Sequence, residues 1–164
     1  MQIEAPLKPE LDPSFVPAAL WNRAYRNAVS KSGAAVDIAL ALQRPDGTCS
    51  VYATQVLPLD EANEALTLRY VERILKFLLW QRGANHVMVS GCDAVAAKLA
   101  DIYSATGTRS FDFEFFGQKV YGGSLEISAC APEAMPEANE ETISLGRHLD
   151  GCRIGFDLGG SDRK

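Results

Sequence analysis

Apolar and polar positions change period several times along the chain, and each change predicts an element. Asp12-Pro13 reads as a helix start, with aspartate as N-cap and proline in the first turn. Phe15, Val16, Ala19, Leu20, Ala24, Ala28 and Val29 then recur at spacings of three and four, predicting an amphipathic helix to about Lys31 that Gly33 ends. Trp21 and Tyr25, four apart on it, have the spacing of core-packing aromatics. Val36 to Gln43 and Cys49 to Leu57 read as strands joined by Arg44-Pro-Asp-Gly47. Proline fixes φ early in that turn and Asp-Gly accepts positive φ after it, so the pair is a hairpin.

Asp60 is placed to cap a second helix running to about Arg82, with Gly83 as its stop. Leu66, Tyr70, Val71, Ile74, Leu75, Leu78 and Leu79 make its apolar face so wide that most of the helix must be covered. His86-Val-Met-Val-Ser90 is a short apolar strand. Asp93 is expected to cap a third helix, whose stripe is Val95, Ala96, Leu99, Ile102 and Tyr103. Phe111-Asp-Phe-Glu-Phe-Phe116 alternates aromatic and acidic, the period of a half-buried strand, and Leu125 to Ala131 predicts another. Pro132 to Glu141 has two prolines, four glutamates and small residues, as in a solvated linker or surface loop. A crossing segment, Leu145 to Cys152, leads to a last strand, Arg153 to Leu158.

The order α-β-β-α-β-α-β predicts an α/β (α+β) domain in which helices pack on a mixed sheet. Residues 1–131 are expected to form that domain and 132–144 an acidic proline-containing linker. At 164 residues the chain has room for one full core, too little for two. The net charge of −5 argues against a general nucleic-acid binder. No apolar stretch is long enough for a membrane span, and residues 1–9 lack the pattern of a secretory signal. The four cysteines, Cys49, Cys92, Cys130 and Cys152, form no CxxC pair and read as reduced thiols of a cytoplasmic protein. A zinc site built on His148 and Cys152 is the weaker alternative, because His86 is the one other histidine.

Several constellations invite a chemical reading. Asp112 and Glu114 lie two apart on the expected strand, where a solvated face is the simpler account than an acid pair. His86 suits a hydrogen-bonded structural role. Ser90-Gly-Cys92 lacks an evident base for a nucleophile turn, and Arg69, Arg73, Lys76 and Arg82 read as the solvated edge of their helix. Gly146 and Gly151 have the spacing of a Walker loop, but Cys152-Arg153 follows where lysine and a hydroxyl residue are required. Gly155, Gly159 and Gly160 have the wrong offsets for a dinucleotide fingerprint. Asp157-Leu-Gly-Gly-Ser161 remains. An aspartate at a strand end can hold hydrated Mg²⁺, and glycines let backbone N–H groups approach phosphate oxygens. A plain strand followed by a glycine turn is the competing account.

Ile154-Gly-Phe-Asp-Leu-Gly-Gly-Ser-Asp-Arg-Lys164 resembles the first phosphate motif of the actin-like ATPase superfamily, above all the ROK family of sugar kinases and sugar-responsive repressors. Asp157, Gly159, Gly160 and Lys164 match the pattern Asp-x-Gly-Gly-Thr-x-x-Lys, and Ser161 stands where threonine is commoner. Leu145 to Cys152 and residues 62–130 also resemble the N-terminal extension of long bacterial ROK proteins. The resemblance implies a transferase that uses ATP and Mg²⁺ on a sugar, with Asp157 on the metal and Gly159, Gly160, Ser161 and Lys164 at the phosphates. It also implies that 145–164 is the truncated start of the actin-like ATPase domain, with the first strand of its lobe, and that the family's catalytic base, adenosine site, second lobe and zinc site lie outside this sequence. The expectation is therefore an N-terminal piece of a kinase, with no catalytic residue of its own and inactive alone. No helix-turn-helix signature supports the repressor branch. The alternative from another class is a non-enzymatic interaction or oligomerisation domain, using helix 62–82 and residues 111–116.

Overall fold

The computed structural model describes residues 3, 7, 9–140, 150–152, 154 and 155. Its elements run α1 (Ala18–Ser32), β1 (Val36–Gln43), β2 (Cys49–Val56), α2 (Glu64–Arg82), β3 (His86–Ser90), α3 (Asp93–Ile102), α4 (Ser110–Glu114), a π-helical segment (Phe115–Val120) and β4 (Glu126–Ala129). The four strands make one mixed sheet in the order β2-β1-β3-β4. β1 is antiparallel to both β2 and β3, and β3 is parallel to β4. The expected α+β class is the one observed.

The expected hairpin forms, with Val36 opposite Val56 and Gln43 opposite Cys49. Gly47 takes φ +85°, and Asp46 accepts from the Thr48 N–H and hydroxyl, which holds its carboxyl below the ordinary carboxylate range. Side chains alternate along a strand. Ile38, Leu40 and Leu42 of β1, Val56 of β2, and Val87 and Val89 of β3 therefore share one face, and all belong to a single buried cluster. That cluster also contains Trp21, Tyr25 and Val29 of α1, Tyr70, Leu75 and Leu79 of α2, and Leu99 of α3. Helices α1 to α3 thus cover the same sheet face. On the other face Val51, Ala53 and Gln55 are exposed.

One closed hydrogen-bond ring sits in this core. The Leu57 N–H donates to Tyr25 Oη at 3.0 Å, and Thr67 Oγ1 donates to the Leu57 carbonyl at 3.1 Å. Since the Thr67 proton is committed, Tyr25 must donate across the 2.8 Å contact to Thr67 Oγ1. Tyr25 also stacks between Trp21, centroids 5.4 Å apart, and Tyr70, 4.4 Å.

The structure corrects four local expectations; at α2 the cap position is held by Asn63, and Asp60 instead accepts from the Asn63 N–H at 2.9 Å in the turn before it. Asp12-Pro13 forms only an isolated turn, in which Ser14 donates to Asp12 Oδ1; α1 starts at Ala18. Pro17 is the reason, since it supplies no N–H to continue a helix from upstream, while its carbonyl accepts from Leu20 and Trp21. Consequently Phe15 is exposed and the buried stripe is Trp21, Tyr25 and Val29. At α3 the cap position is held by Cys92, and Asp93 is the first helical residue. Residues 111–116 are helical, split between α4 and the π-helical segment. Helical spacing stacks Phe111 on Phe115, centroids 5.9 Å apart, and Phe115 stacks in turn on Trp80 of α2, 5.0 Å away.

The acidic segment after β4 is exposed, as expected of a surface loop, and opens with a 3₁₀ turn, Pro132–Ala134. It leaves one edge of the sheet and reaches the opposite edge. There the Asn139 N–H donates to the Cys49 carbonyl at 3.0 Å, Asn139 Nδ2 donates to the Gly47 carbonyl at 3.1 Å, and the Cys49 N–H donates to Asn139 Oδ1. Of the expected last strand, Arg153 to Leu158, only Ile154 and Gly155 are described, and neither lies in a strand.

Candidate functional site

Asp157, Gly159, Gly160, Ser161 and Lys164 lie outside the described residues, as does His148. What the described residues bring together is a groove of about 1220 Å³ on the helical layer. Its two walls follow from helical spacing. On α1, Ala18, Asn22 and Arg26 recur every four residues; on α2, Arg69, Arg73, Phe77 and Gln81 do the same. Ser50 and Tyr52, from the helix-facing positions of β2, line it between them. Small residues on α1 keep the first wall low, and Phe77, 63% exposed, gives the second an apolar surface.

The groove is basic, and its cations differ in how they are held. Arg69 lies over the Trp21 ring at 4.7 Å. Arg82 donates to both carboxylate oxygens of Glu140, each at 3.1 Å, and Arg44 adds a longer contact of 3.9 Å. The Ser50 hydroxyl also bonds to Glu140. Arg44 in turn donates to Ser50 Oγ at 3.0 Å and to the Arg82 carbonyl at 3.3 Å, where α2 presents the negative end of its dipole. Glu72, the other carboxylate of the groove, is engaged by Arg109, and that bond keeps the guanidinium still more firmly protonated than usual. Arg26 and Arg73 make no ion pair among the described residues.

Next to the groove, Asp112 differs from its expected solvated position. It is 2% exposed, accepts from Trp80 Nε1 at 2.7 Å, and has Lys76 Nζ 3.7 Å away. Glu114 pairs instead with Lys119, so the two carboxylates do not act together. Nearby, burial, reinforced by the Glu72 carboxylate, pushes the Tyr103 phenol far above its ordinary value. His86 Nε2 meets Ser128 Oγ at 2.9 Å, a structural contact between neighbouring strands. The Cys49 and Cys130 thiols are raised, chiefly by burial, which disfavours the nucleophilic thiolate. Among the described residues no three His, Cys, Asp or Glu side chains assemble as a metal site. No described helix is long and apolar enough to cross a membrane.

The arrangement is therefore suited to binding an anionic, partly apolar group. Sequence reading reached Arg69, Arg73 and Arg82 but placed them on a plain solvated edge. It missed Arg26 and Glu140. The Ala18-Asn22-Arg26 spacing was the available signal for the first wall; the partner of Glu140 is set by tertiary structure. No family model, curated protein or solved structure matches the chain.

Proposed function

We propose that this chain is the N-terminal accessory region of a ROK-like, ATP-dependent sugar kinase, in which it carries the first magnesium–phosphate segment without being a complete catalyst. The observation that carries the reading is Ile154-Gly-Phe-Asp-Leu-Gly-Gly-Ser-Asp-Arg-Lys164. Asp157 would hold the hydrated Mg²⁺, the Gly159 and Gly160 backbone and the Ser161 hydroxyl would meet phosphate oxygens, and Lys164 would add positive charge. Phosphoryl transfer also needs a positioned sugar hydroxyl and its base, which this reading assigns to sequence following Lys164. The protein is assigned to the cytoplasm on the same reading.

The test is ATP-dependent phosphorylation of a panel of sugars by the chain extended through the sequence encoded after Lys164, with Asp157→Asn as control. The expected result is turnover that Asp157→Asn reduces at least a hundredfold; equal activity of the two proteins would remove Asp157 from the mechanism. A second reading, an interaction or self-association module, is favoured by the exposed aromatic surface of Phe77, Trp80 and Phe111, which are 63%, 50% and 68% exposed.

A further inference from the structure

We infer that the groove between α1 and α2 is a docking site for an acidic, apolar-bearing peptide segment of a partner protein. The inference is independent of the kinase reading and gives the interaction reading a partner chemistry. Charge is the first argument. In a chain of net charge −5, this one surface gathers Arg26, Arg69, Arg73 and Arg82, and its two carboxylates, Glu72 and Glu140, are already paired. Among the described residues Arg26 and Arg73 make no ion pair, which leaves them to meet an incoming anion.

A resident carboxylate is the second argument. Glu140, carried on an extended surface segment, is seated at one end of the groove on Arg82, Arg44 and Ser50. The groove's cations thus already accept a carboxylate presented from a peptide backbone. Size is the third. About 1220 Å³ exceeds the usual range of small-molecule clefts, about 300–1,000 Å³, and suits several residues of chain. An extended peptide sends alternate side chains to opposite sides. One with glutamate at every second position can place its carboxylates toward the α1 wall at Arg26 and its apolar side chains toward the α2 wall against Phe77, one helical turn from Arg73.

The experiment is calorimetric titration of the 164-residue chain with a blocked octapeptide of alternating glutamate and leucine, alongside the same peptide with glutamine for glutamate. The acidic peptide is expected to bind and to weaken as salt rises. The double variant Arg26→Ala/Arg73→Ala, its fold checked by circular dichroism, should lose about tenfold in affinity. Glu140→Gln, which vacates the resident carboxylate's place, should bind the acidic peptide a few-fold more tightly. Equal binding of the glutamine peptide would retain a docking surface but overturn the acidic assignment. Absence of binding, or indifference to the double arginine variant, would overturn the site. Concentration-dependent dimerisation abolished by the same arginine variant would overturn it in favour of a second copy as occupant.

Discussion

Replacing Tyr25 by phenylalanine removes one oxygen from the closed ring that joins α1, the β2–α2 connection and α2. In the intact ring each hydroxyl donates once and accepts once, and both polar groups of the Leu57 backbone are satisfied. The phenylalanine variant keeps the Thr67-to-Leu57 bond but orphans the Leu57 N–H in a site where Tyr25 and Thr67 are fully buried. A buried unsatisfied donor costs about 1–3 kcal/mol, so the expected loss is about 2 kcal/mol. For a domain of this size that lowers Tm by roughly 6–10 °C. Thr67→Val should cost a similar amount, because it removes the acceptor for Tyr25 and the donor for the Leu57 carbonyl. The double variant no longer buries a lone hydroxyl. Its loss should therefore fall short of the sum of the singles by about 1 kcal/mol. Urea denaturation of the four proteins, followed by far-ultraviolet circular dichroism, supplies the cycle. A Tyr25→Phe loss below about 0.5 kcal/mol, or strictly additive singles, would refute the ring as an energetic unit.

Two further outcomes follow from the same core. The phenols of Tyr25, Tyr52, Tyr103 and Tyr121 are all raised above their ordinary value near 10, each chiefly by burial. The neutral phenol is therefore favoured in the folded state, and the stability this represents is intact below pH 10 and lost as pH climbs above it. In an alkaline titration phenolate absorbance should rise together with loss of helical circular dichroism; ionisation of these phenols near pH 10 with unchanged structure would contradict the burial argument. Gly91, at φ +91°, would bring an added Cβ within 2.0 Å of the Asp37 carbonyl oxygen, whereas Gly122, at φ +68°, faces open space. Gly91→Ala should thus cost about 3 kcal/mol or more and Gly122→Ala about 1 kcal/mol. Equal melting shifts for the two would show that the close approach to β1 does not matter.

The parts of the fold that were legible in the sequence are those whose signal is local. Arg44-Pro-Asp-Gly47 specifies its own turn, and the α2 stripe and Gly83 specify a covered helix and its end. Residues 111–116 were misread for a physical reason. Aromatic–acidic alternation over six residues fits period two, yet Phe111 and Phe115 are also one helical turn apart. What decides between them is the burial of Asp112 beneath Trp80, a partner thirty-two positions away. Pro17 overrode the Asp12 cap because a missing N–H outweighs a good capping residue. The groove was half legible: its arginines were visible, but their face depends on where α1 lies. The phosphate segment remains a matter of sequence alone, since its residues fall outside those described.

The bonds from Asn139 to Cys49 and Gly47 have a consequence for association between chains. β2 is an outer strand, and from Cys49 to Val56 it contains no charged residue, the usual deterrent to unwanted strand pairing. Cys49 directs its N–H and carbonyl outward, and Asn139 occupies both. By the alternation of an antiparallel ladder, Val51, Ala53 and Gln55 direct theirs outward as well. Asn139 is thus a plug at the first rung of an otherwise uncharged edge. Detaching it would lengthen by one rung the run of backbone groups that is open among the described residues and offer the hairpin a template for cross-chain β-sheet growth.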